Sequence, residues 1–344
     1  MGARIAGIGK ALPARILTNA DLEKMVETTD EWITDRTGIK ERRIAGEAET
    51  TATLGAEAAR GALETARLDA SDIDLVICGT VTPALQFPST ASLIQDMIGA
   101  RRAGAFDVNA ACVGFLSGYS AAAAMINAGM CRRVLVIGSE TLSRIVNWKD
   151  RATCVLFGDG AGAVVLEASE RGGPASVVLR SDGSLERILY ARGPATPMSA
   201  IDAEGFCIVM DGREVFRVAV RAMEDAARQA IGDAGLRLED IAYVIPHQSN
   251  ARIIASFVKG LGLPPEKVIV NVSKYGNTSS ASIPLALCEA WEEGRLQPGD
   301  NLVLVAFGGG LAWGATVVEW TGLGREAIDT TPTAVGAPTP APRA

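Results

Sequence analysis

The chain has 344 residues, of which 48% are hydrophobic, and a formal net charge of −7 at pH 7. This length and apolar content are sufficient for one or two compact domains with large cores. The acidic balance excludes a global basic field that would hold nucleic acid or an anionic membrane, so an acidic partner would need a local basic patch.

The first half of the chain alternates between helical and strand-like segments. A helical stretch at 56–66 is followed by a short apolar strand at 74–78, and further apolar segments lie at 134–138 and 162–167. Continuous rather than alternating apolar runs are typical of strands buried on both faces. The pattern therefore predicts an α/β architecture with mostly parallel central sheets covered by helices.

Between these segments, an apolar strand ends near Asn109 and an Ala-rich helix begins near Cys112. A thiol at a helix N-terminus faces unpaired backbone N–H groups and the positive end of the helix dipole, which lowers the thiol pKa. We therefore expect Cys112 to be a thiolate nucleophile. The other five cysteines include no Cys-x-x-Cys pair, and we interpret most of them as small buried hydrophobes in a reducing cytosol.

The second half of the chain repeats the first. Residues 58–77 align without gaps on residues 226–245, at an offset of 168, and 10 of the 20 positions are identical. This aligned segment contains the C-terminal part of a helix at 216–234 and a strand at 243–245. Chance similarity between Ala-rich helices is the alternative, but it would not keep one offset over a longer stretch. The sequence predicts a duplicated unit.

The same offset extends the repeat toward the end of the chain, where it carries 134–138 onto 302–306. The longest uncharged apolar run, 302–318, contains three successive glycines and predicts two buried strands joined by a turn rather than a membrane span. We place the two halves at 1–170 and 171–322. The Pro-, Thr- and Ala-rich residues 323–344 are predicted to form a disordered tail.

The repeat also groups three further candidates with Cys112. His247, the only histidine, follows the strand at 243–245, Asn277 is the counterpart of Asn109, and Gly309 follows the strand at 302–306. Sheets of α/β proteins usually bind ligands at strand ends, so these residues predict one site. Considered alone, the histidine is more often structural and Asn277 would be a turn residue. A single histidine without paired cysteines predicts no metal site.

Five motifs carry a family resemblance: NAACVGF around Cys112, PHQSN around His247, YGNTSSASIP around Asn277, FGGGLAWG at 307–314 and TGIKERRI at 37–44. Together they resemble β-ketoacyl-acyl-carrier-protein synthase III of the thiolase superfamily, over roughly residues 4–320. The resemblance implies a thiolase-like five-layer αβαβα fold of two pseudo-symmetric halves and a homodimer. It also implies an enzyme that needs no cofactor, because acyl-CoA is a substrate. The cytoplasmic location is predicted instead by the dispersed cysteines, an N-terminus unlike a signal peptide and an apolar run too short for a membrane span.

The resemblance further implies a reaction and the roles of its residues. Cys112 takes an acyl group from acyl-CoA, and malonyl-acyl carrier protein then loses CO2 and attacks the acyl-enzyme, which is a ping-pong mechanism that opens a fatty acid chain. The backbone N–H groups of Cys112 and Gly309 form an oxyanion hole. His247 and Asn277 stabilise the enolate as neutral donors.

Binding residues are implied in the same way. The positions that match CoA-binding residues are Trp32, Arg36, Arg151 and Arg252, and those that match carrier-protein contacts are Arg252 and Lys259. The positions that match the acyl pocket are Phe87, Leu142, Phe157 and Phe307, with Phe87 reaching across the dimer. Surface placement is the alternative for the charged residues, as ordinary core packing is for the apolar ones.

Other functions stay open at this stage. One alternative is a related enzyme of polyketide or other secondary metabolism, which loads an unusual starter or transfers the acyl group to an alcohol or amine. Another is a non-catalytic partner subunit, against which the intact Cys112, His247 and Asn277 argue. The starter chain length is not determined by the sequence.

Overall fold

The computed structural model describes residues 2–323, so all but the first residue of the predicted tail at 323–344 lie outside the described residues. The helices of this part are α1 Asn19–Leu22, α2 Asp30–Thr37, α3 Thr51–Ala66, α4 Thr90–Ile98, α5 Gly114–Asn127, α6 Arg151–Cys154, α7 Gly212–Asp233, α8 Ala251–Leu261, α9 Val272–Tyr275 and α10 Ser282–Glu292. The strands are β1 Gly2–Ala11, β2 Arg15–Thr18, β3 Glu41–Ile44, β4 Leu75–Gly79, β5 Gly104–Val108, β6 Arg133–Thr141, β7 Asp159–Ser169, β8 Gly173–Ser181, β9 Leu189–Tyr190, β10 Val209–Met210, β11 Tyr243–Pro246, β12 Asn301–Gly308 and β13 Ala312–Glu319.

Two central sheets organise these elements. The first has the strand order β1-β7-β6-β4-β5 and the second has the order β11-β12-β13-β8. In the first sheet β4 runs parallel to β5 and β6, whereas β7 is antiparallel to both of its neighbours. In the second sheet β11 and β12 are parallel, and the pairs β12–β13 and β13–β8 are antiparallel.

The prediction of mostly parallel sheets is therefore wrong, because both sheets are mixed. Continuous apolar strands were interpreted as parallel because they are buried on both faces. Here the burial on both faces comes from helices stacked against each sheet, whatever the direction of the strands. The predicted pair of strands at 302–318 is confirmed as the antiparallel pair β12–β13. No helix among residues 2–323 is long and apolar enough to cross a membrane.

Five layers result from this stacking, as predicted. Helices α3 and α4 cover the outer face of the first sheet, α5 and α10 lie between the two sheets, and α7 packs with α8 on the outer face of the second sheet. Three clusters of buried apolar side chains fill the spaces between these layers, one under each outer helical layer and one around the central helices between the two sheets. The central helices are therefore buried among both halves of the chain.

The duplication is visible in matching element starts. β6 and β12 begin 168 residues apart, and so do α5 and α10. The residues that enter the turn before each of these two helices, Ala111 and Ser279, also lie 168 residues apart, and both adopt a positive φ, 45° and 48°. A positive φ is unusual for residues other than glycine, so the shared backbone conformation is strong support for the repeat.

The predicted helices begin later than the observed ones. α3 starts at residue 51 rather than 56, because Thr50 accepts a hydrogen bond from the Thr53 backbone N–H and Thr53 accepts one in return. α7 starts at residue 212 rather than 216, because Asp211 caps the first backbone N–H groups of the helix. The prediction followed apolar residues, whereas these polar caps set the helix starts.

Candidate active site

Cys112 lies where the sequence predicts, between a strand and a helix. It occupies a 3-10 turn, Ala111–Val113, after β5 and directly before α5. β4 packs close beside this junction, since a Cβ on Gly79 would lie 2.5 Å from the backbone carbon of Gly114. The end of the strand therefore holds the start of the helix in place, and the nucleophile candidate with it.

The expectation that Cys112 is a thiolate is wrong for the free protein. Although Cys112 keeps some exposed surface, its surroundings desolvate the thiol and raise its pKa to about 12. The buried carboxyl group of Glu140 raises this pKa further, whereas the Ser279 side chain and the Cys112 backbone lower it. Desolvation is the largest of these effects, so the thiol is predominantly protonated at neutral pH.

The three successive glycines at 308–310, at the end of β12, form a glycine loop that lies directly against Cys112. A Cβ on Gly308 would lie 2.8 Å from both the backbone nitrogen and the Cβ of Cys112. A Cβ on Gly309 would lie 3.2 Å from the Leu189 carbonyl oxygen and 3.6 Å from the Ala111 Cβ. The Gly309 backbone therefore neighbours the turn that carries the nucleophile, which is the proximity that a shared oxyanion hole requires.

Alanine at Gly308 is expected to displace the Cys112 turn, because the added methyl group would overlap it. We expect acyl transfer to slow by about a hundredfold and unfolding free energy to fall by about 1–3 kcal/mol. Gly309→Ala is the matched comparison, since it keeps its backbone N–H and meets a looser environment. Rates of adduct formation and urea unfolding measure both effects. Equal losses in the two variants would contradict this account.

His247 follows the end of β11 and is buried, with 2% of its surface exposed. Its backbone N–H donates to the Val305 carbonyl in β12, and its Nδ1 lies 2.7 Å from the Ser282 Oγ at the start of α10. Burial lowers the His247 pKa to about 3, so the imidazole is neutral at neutral pH. If Ser282 donates to Nδ1, the other nitrogen carries the ring proton and can donate it to a substrate.

The neighbouring Gln248 holds this segment in place. Its Oε1 accepts hydrogen bonds from the backbone N–H groups of Asn271 and Val272, and its Nε2 donates to the carbonyls of Pro246 and Ile269. All four bonds are formed by a buried side chain. Gln248 therefore fixes the end of β11 against the chain that leads to Asn277.

Asn277 is buried after Gly276, which has a φ of 64°. Its Oδ1 accepts a hydrogen bond of 2.9 Å from the Ser279 backbone N–H, which leaves the Nδ2 hydrogens directed away from the turn. Unlike Asn109, it follows a short helix, α9, rather than a strand, so the expected strand end is wrong here. The counterpart of β5 in this half is a single bridge between Val244 and Val268.

One short segment joins the candidate residues. Residues 277–282 carry Asn277, lie against the turn that carries Cys112 and bind His247 through Ser282. The structure therefore brings Cys112, His247 and Asn277 together around one turn. The glycine loop lies against the same Cys112. A nucleophile, two neutral donors and adjoining backbone N–H groups are what acyl transfer through a thioester requires.

A buried carboxyl group behind this turn was missed by sequence reasoning. Glu140 accepts hydrogen bonds from the hydroxyls of Thr80 and Thr82 and from the Val81 backbone N–H. Its Oε1 lies 3.0 Å from the Ser280 Oγ. Burial raises the Glu140 pKa. Glu140 and Ser280 are the repeat counterparts of Gly308 and Cys112. The position that corresponds to the nucleophile in the second half therefore holds part of a buried polar network instead of a second nucleophile.

The predicted CoA-binding residues meet on the surface. The guanidinium carbons of Arg36 and Arg151 each lie 5.1 Å from the centroid of the Trp32 ring. Arg151 also lines a surface cavity of about 310 Å³ together with Lys149 and residues 25–27. Asn250, which caps α8, donates to the Arg36 carbonyl, so the helix that carries Arg252 adjoins this group.

Arg252 and Lys259 are both exposed on α8, seven residues apart, and so lie on the same side of the helix. The opposite side of α8 is buried and apolar.

The four predicted acyl-pocket residues separate into two groups. Leu142, Phe157 and Phe307 belong to one buried cluster, and Phe157 forms a backbone bridge with Asn277.

Phe87, in contrast, is 83% exposed in the single chain and does not belong to that buried cluster. Its predicted place in the acyl pocket depends on a partner subunit.

Within residues 2–323, no group of three or more His, Cys, Asp or Glu side chains is arranged to hold a metal ion.

Two mixed sheets in a five-layer stack, with a cysteine, a histidine and an asparagine around one turn, define a condensing enzyme of the thiolase fold. The chain is 52% identical over 325 residues to the β-ketoacyl-[acyl-carrier-protein] synthase III of Roseiflexus sp. (strain RS-1). The aligned region covers 93% of this chain and 98% of the relative. The chain therefore belongs to the β-ketoacyl-acyl-carrier-protein synthase III family, whose members are acyltransferase-type condensing enzymes.

Family models and solved structures agree with this assignment. Residues 106–183 match the 3-oxoacyl-[acyl-carrier-protein] synthase III model, and residues 231–320 match the model of its C-terminal part. The synthase III structure from Aquifex aeolicus VF5 is 49% identical, with a TM-score of 0.88, and the match covers 93% of this chain and all of that one. A priming β-ketosynthase of the R1128 polyketide pathway is 37% identical, also with a TM-score of 0.88, with 92% and 96% covered.

Proposed function

We propose that the enzyme condenses an acyl-CoA starter with malonyl-acyl carrier protein and so initiates fatty acid synthesis. The products are a β-ketoacyl-acyl carrier protein, CO2 and CoA. The observation that carries this proposal is the segment 277–282, which contains Asn277, binds His247 through Ser282 and lies against the turn that carries Cys112. Two neutral donors beside a thiol suit an enolate that attacks a thioester.

In the first half-reaction, the Cys112 sulfur attacks the thioester carbonyl of acyl-CoA. The backbone N–H groups of Cys112 and Gly309 stabilise the oxyanion of the tetrahedral intermediate. The carbon–sulfur bond to CoA then breaks. Because the thiol pKa is about 12, Cys112 starts protonated, and its proton ends on the departing CoA sulfur.

In the second half-reaction, malonyl-acyl carrier protein loses CO2 and leaves an enolate. The Nε2–H of His247 and the Nδ2–H of Asn277 donate to its oxygen, and the enolate carbon attacks the acyl-Cys112 carbonyl. The Cys112 sulfur leaves as the new carbon–carbon bond forms. A His247 pKa of about 3 supports this assignment, because a ring that resists protonation is a poor general base and a suitable neutral donor.

For CoA binding, we assign the nucleotide end to Trp32, Arg36, Arg151 and Arg252. Both arginines beside the indole ring lie at stacking distance from it. An adenine ring that stacks on Trp32 must therefore displace one guanidinium group, which can then pair with phosphate. Acyl-CoA is a substrate in this scheme, and no cofactor takes part.

The carrier protein is assigned to the exposed side of α8. Replacing Arg252 and Lys259 together by glutamate is expected to raise the KM for malonyl-acyl carrier protein by about tenfold, because the change reverses the local charge that attracts an acidic partner. Acylation by acyl-CoA should change less. Steady-state kinetics with varied carrier protein measure the effect.

The matched control for this pair replaces Arg102 and Arg132 by glutamate, which makes the same change in net charge. Both residues are exposed and lie just before the starts of β5 and β6, whereas Cys112 follows the opposite end of β5. This control should leave the KM unchanged. A similar rise in both double variants would show that net charge, not the α8 surface, controls binding.

We also propose that the enzyme is a homodimer. β5 is the edge strand of the first sheet, and Phe106 on this strand is exposed, as are Leu85 and Phe87 in the preceding loop. A second copy would cover these apolar side chains and bring Phe87 to the acyl pocket of its partner. We further propose that the chain divides into two thiolase-like halves, at 1–170 and 171–322. The proposed location of the enzyme is the cytoplasm.

Intact-protein mass spectrometry after exposure to a panel of acyl-CoAs tests this function. The adduct mass on the protein identifies the starter. Clearance of the adduct with CO2 release after malonyl-acyl carrier protein is added supports condensation. The alternative is a starter-loading enzyme or acyltransferase of polyketide or other secondary metabolism, and the similarity to the polyketide priming enzyme supports starter loading. An adduct that persists until an alcohol or amine is added would establish the acyltransferase.

A further inference from the structure

We propose that Glu289, on α10, is a positioning residue that holds Asn277 and His247 at a fixed separation for the decarboxylation step. This inference rests on the proposed function, because it takes these two side chains as the donors to the enolate oxygen. Glu289 acts through the segment at 271–276, which contains α9 and leads directly into Asn277.

The first support is a pair of hydrogen bonds that join this segment to α10. The Glu289 Oε2 accepts a bond of 2.8 Å from the Asn271 Nδ2, and its Oε1 accepts one of 2.6 Å from the Tyr275 hydroxyl. All three side chains are buried. One carboxyl group therefore holds both ends of the segment, at Asn271 where it begins and at Tyr275 just before Gly276.

The second support is the charge on this carboxyl group. Burial acts to raise the pKa of Glu289, but hydrogen bonds from Tyr275 and Asn271 and the nearby ammonium group of Lys274 lower the pKa below its ordinary value. The Lys274 Nζ lies 3.4 Å from the Glu289 Oε1. Glu289 is therefore an ionised acceptor at neutral pH. Hydrogen bonds to an ionised acceptor are about twice as strong as those between neutral groups, so the segment is firmly attached to the helix.

The third support is that both joined elements reach His247. The helix α10 begins at Ser282, whose Oγ lies 2.7 Å from the His247 Nδ1. The segment is bound by Gln248, which follows His247 and accepts hydrogen bonds from the backbone N–H groups of Asn271 and Val272. His247 is thus attached to the helix and its neighbour to the segment. Glu289 connects these two attachments.

The other end of the segment determines where Asn277 lies. Gly276 has a φ of 64°, and a Cβ on it would lie 2.7 Å from the Leu156 carbonyl oxygen. The Asn277 backbone N–H donates to the same carbonyl, at 2.8 Å. Close-packed interiors transmit displacements, so a shift of Tyr275 is passed on to Asn277 instead of being absorbed by the turn. Glu289 therefore controls the positions of both donors.

The test compares the two half-reactions in Glu289→Gln, which keeps the size of the side chain and removes its charge. Release of CO2 from malonyl-acyl carrier protein is expected to slow by about tenfold, because weaker bonds allow the two donors to move apart. Acylation of Cys112 should stay within about twofold of the unaltered rate, since its oxyanion is assigned to backbone N–H groups. Tyr275→Phe, which removes one of the two bonds, should slow CO2 release by about threefold.

The matched control is Glu292→Gln, which makes the same change three residues further along α10, where the side chain pairs with Lys10. This variant should match the unaltered enzyme in both half-reactions. Urea unfolding shows whether each variant is folded under the assay conditions. If Glu289→Gln does not fold, Tyr275→Phe decides the question by the same comparison.

Two outcomes would overturn the proposal. One is equal slowing of both half-reactions, because Glu289 would then only stabilise the fold. The other is CO2 release at the unaltered rate in both Glu289→Gln and Tyr275→Phe, which would refute the role of Glu289 and leave the proposed function intact. An unaltered enzyme that releases no CO2 would refute the proposed function, and this inference with it.

Discussion

Alanine in place of Cys112 is expected to abolish acyl transfer from acyl-CoA, with a loss of at least about a thousandfold, because no other group near the site can form the thioester intermediate. The cysteine sits on a tight turn that the end of β4 and the glycine loop both contact. Removing its sulfur should leave this packing nearly unchanged. Intact-protein mass spectrometry with acyl-CoA measures the adduct directly.

The matched control is Cys154→Ala, since Cys154 is a buried cysteine in the same half of the chain that we interpret as structural. This variant should still take up the acyl group on Cys112. Formation of a stable acyl adduct on the Cys112→Ala protein, at a rate near that of the unaltered enzyme, would refute the assignment of the nucleophile.

His247→Ala and Asn277→Ala are each expected to slow malonyl decarboxylation by about 10²- to 10³-fold, the usual cost of losing one donor to an oxyanion. Acylation of Cys112 should be affected less, because its oxyanion is assigned to backbone N–H groups. The two half-reactions are measured separately, as adduct formation and as CO2 release. Equal losses in both half-reactions would contradict this division of roles.

The lowered pKa of His247 adds a dependence on pH. Its value of about 3 in the folded protein lies below the ordinary value of 6.5, so the unfolded chain binds more protons between these two values. The contribution of His247 to stability is therefore present above pH 6.5 and is lost as the pH falls toward 3. Between pH 6 and 8 the decarboxylation rate should therefore show no transition caused by this ring. A histidine that acted as a base with an ordinary pKa would instead make the rate fall as the pH drops through that pKa.

The repeat and the motifs predicted the main features of the fold and site. Both depend on local patterns that survive in one chain, such as a helix and strand at a constant offset and a cysteine between a strand and a helix. These patterns placed Cys112, His247 and Gly309 at the ends of strands, where the structure has them. The strand directions were wrong, because burial on both faces does not depend on direction.

Other features could not be predicted from local patterns. The partners of Glu140 come from the loop after β4 and from the turn before α10, and Ser280 is 140 residues away in sequence. The same holds for the bond between His247 and Ser282. The thiol pKa was also misjudged, because helix position is visible in a sequence, whereas desolvation depends on the whole packed environment. The matching positive φ values of Ala111 and Ser279 are a property of the three-dimensional backbone, so the sequence alone does not show them.

A single-turnover experiment tests the central claim most directly. The enzyme is first acylated and freed of CoA, and one equivalent of carrier protein bearing a carboxyl-labelled malonyl group is then added. The account predicts that one labelled CO2 is released for each acyl group lost from Cys112, together with one β-ketoacyl-acyl carrier protein. Loss of the acyl group by hydrolysis or transfer, without CO2 release and without a new carbon–carbon bond, would contradict it.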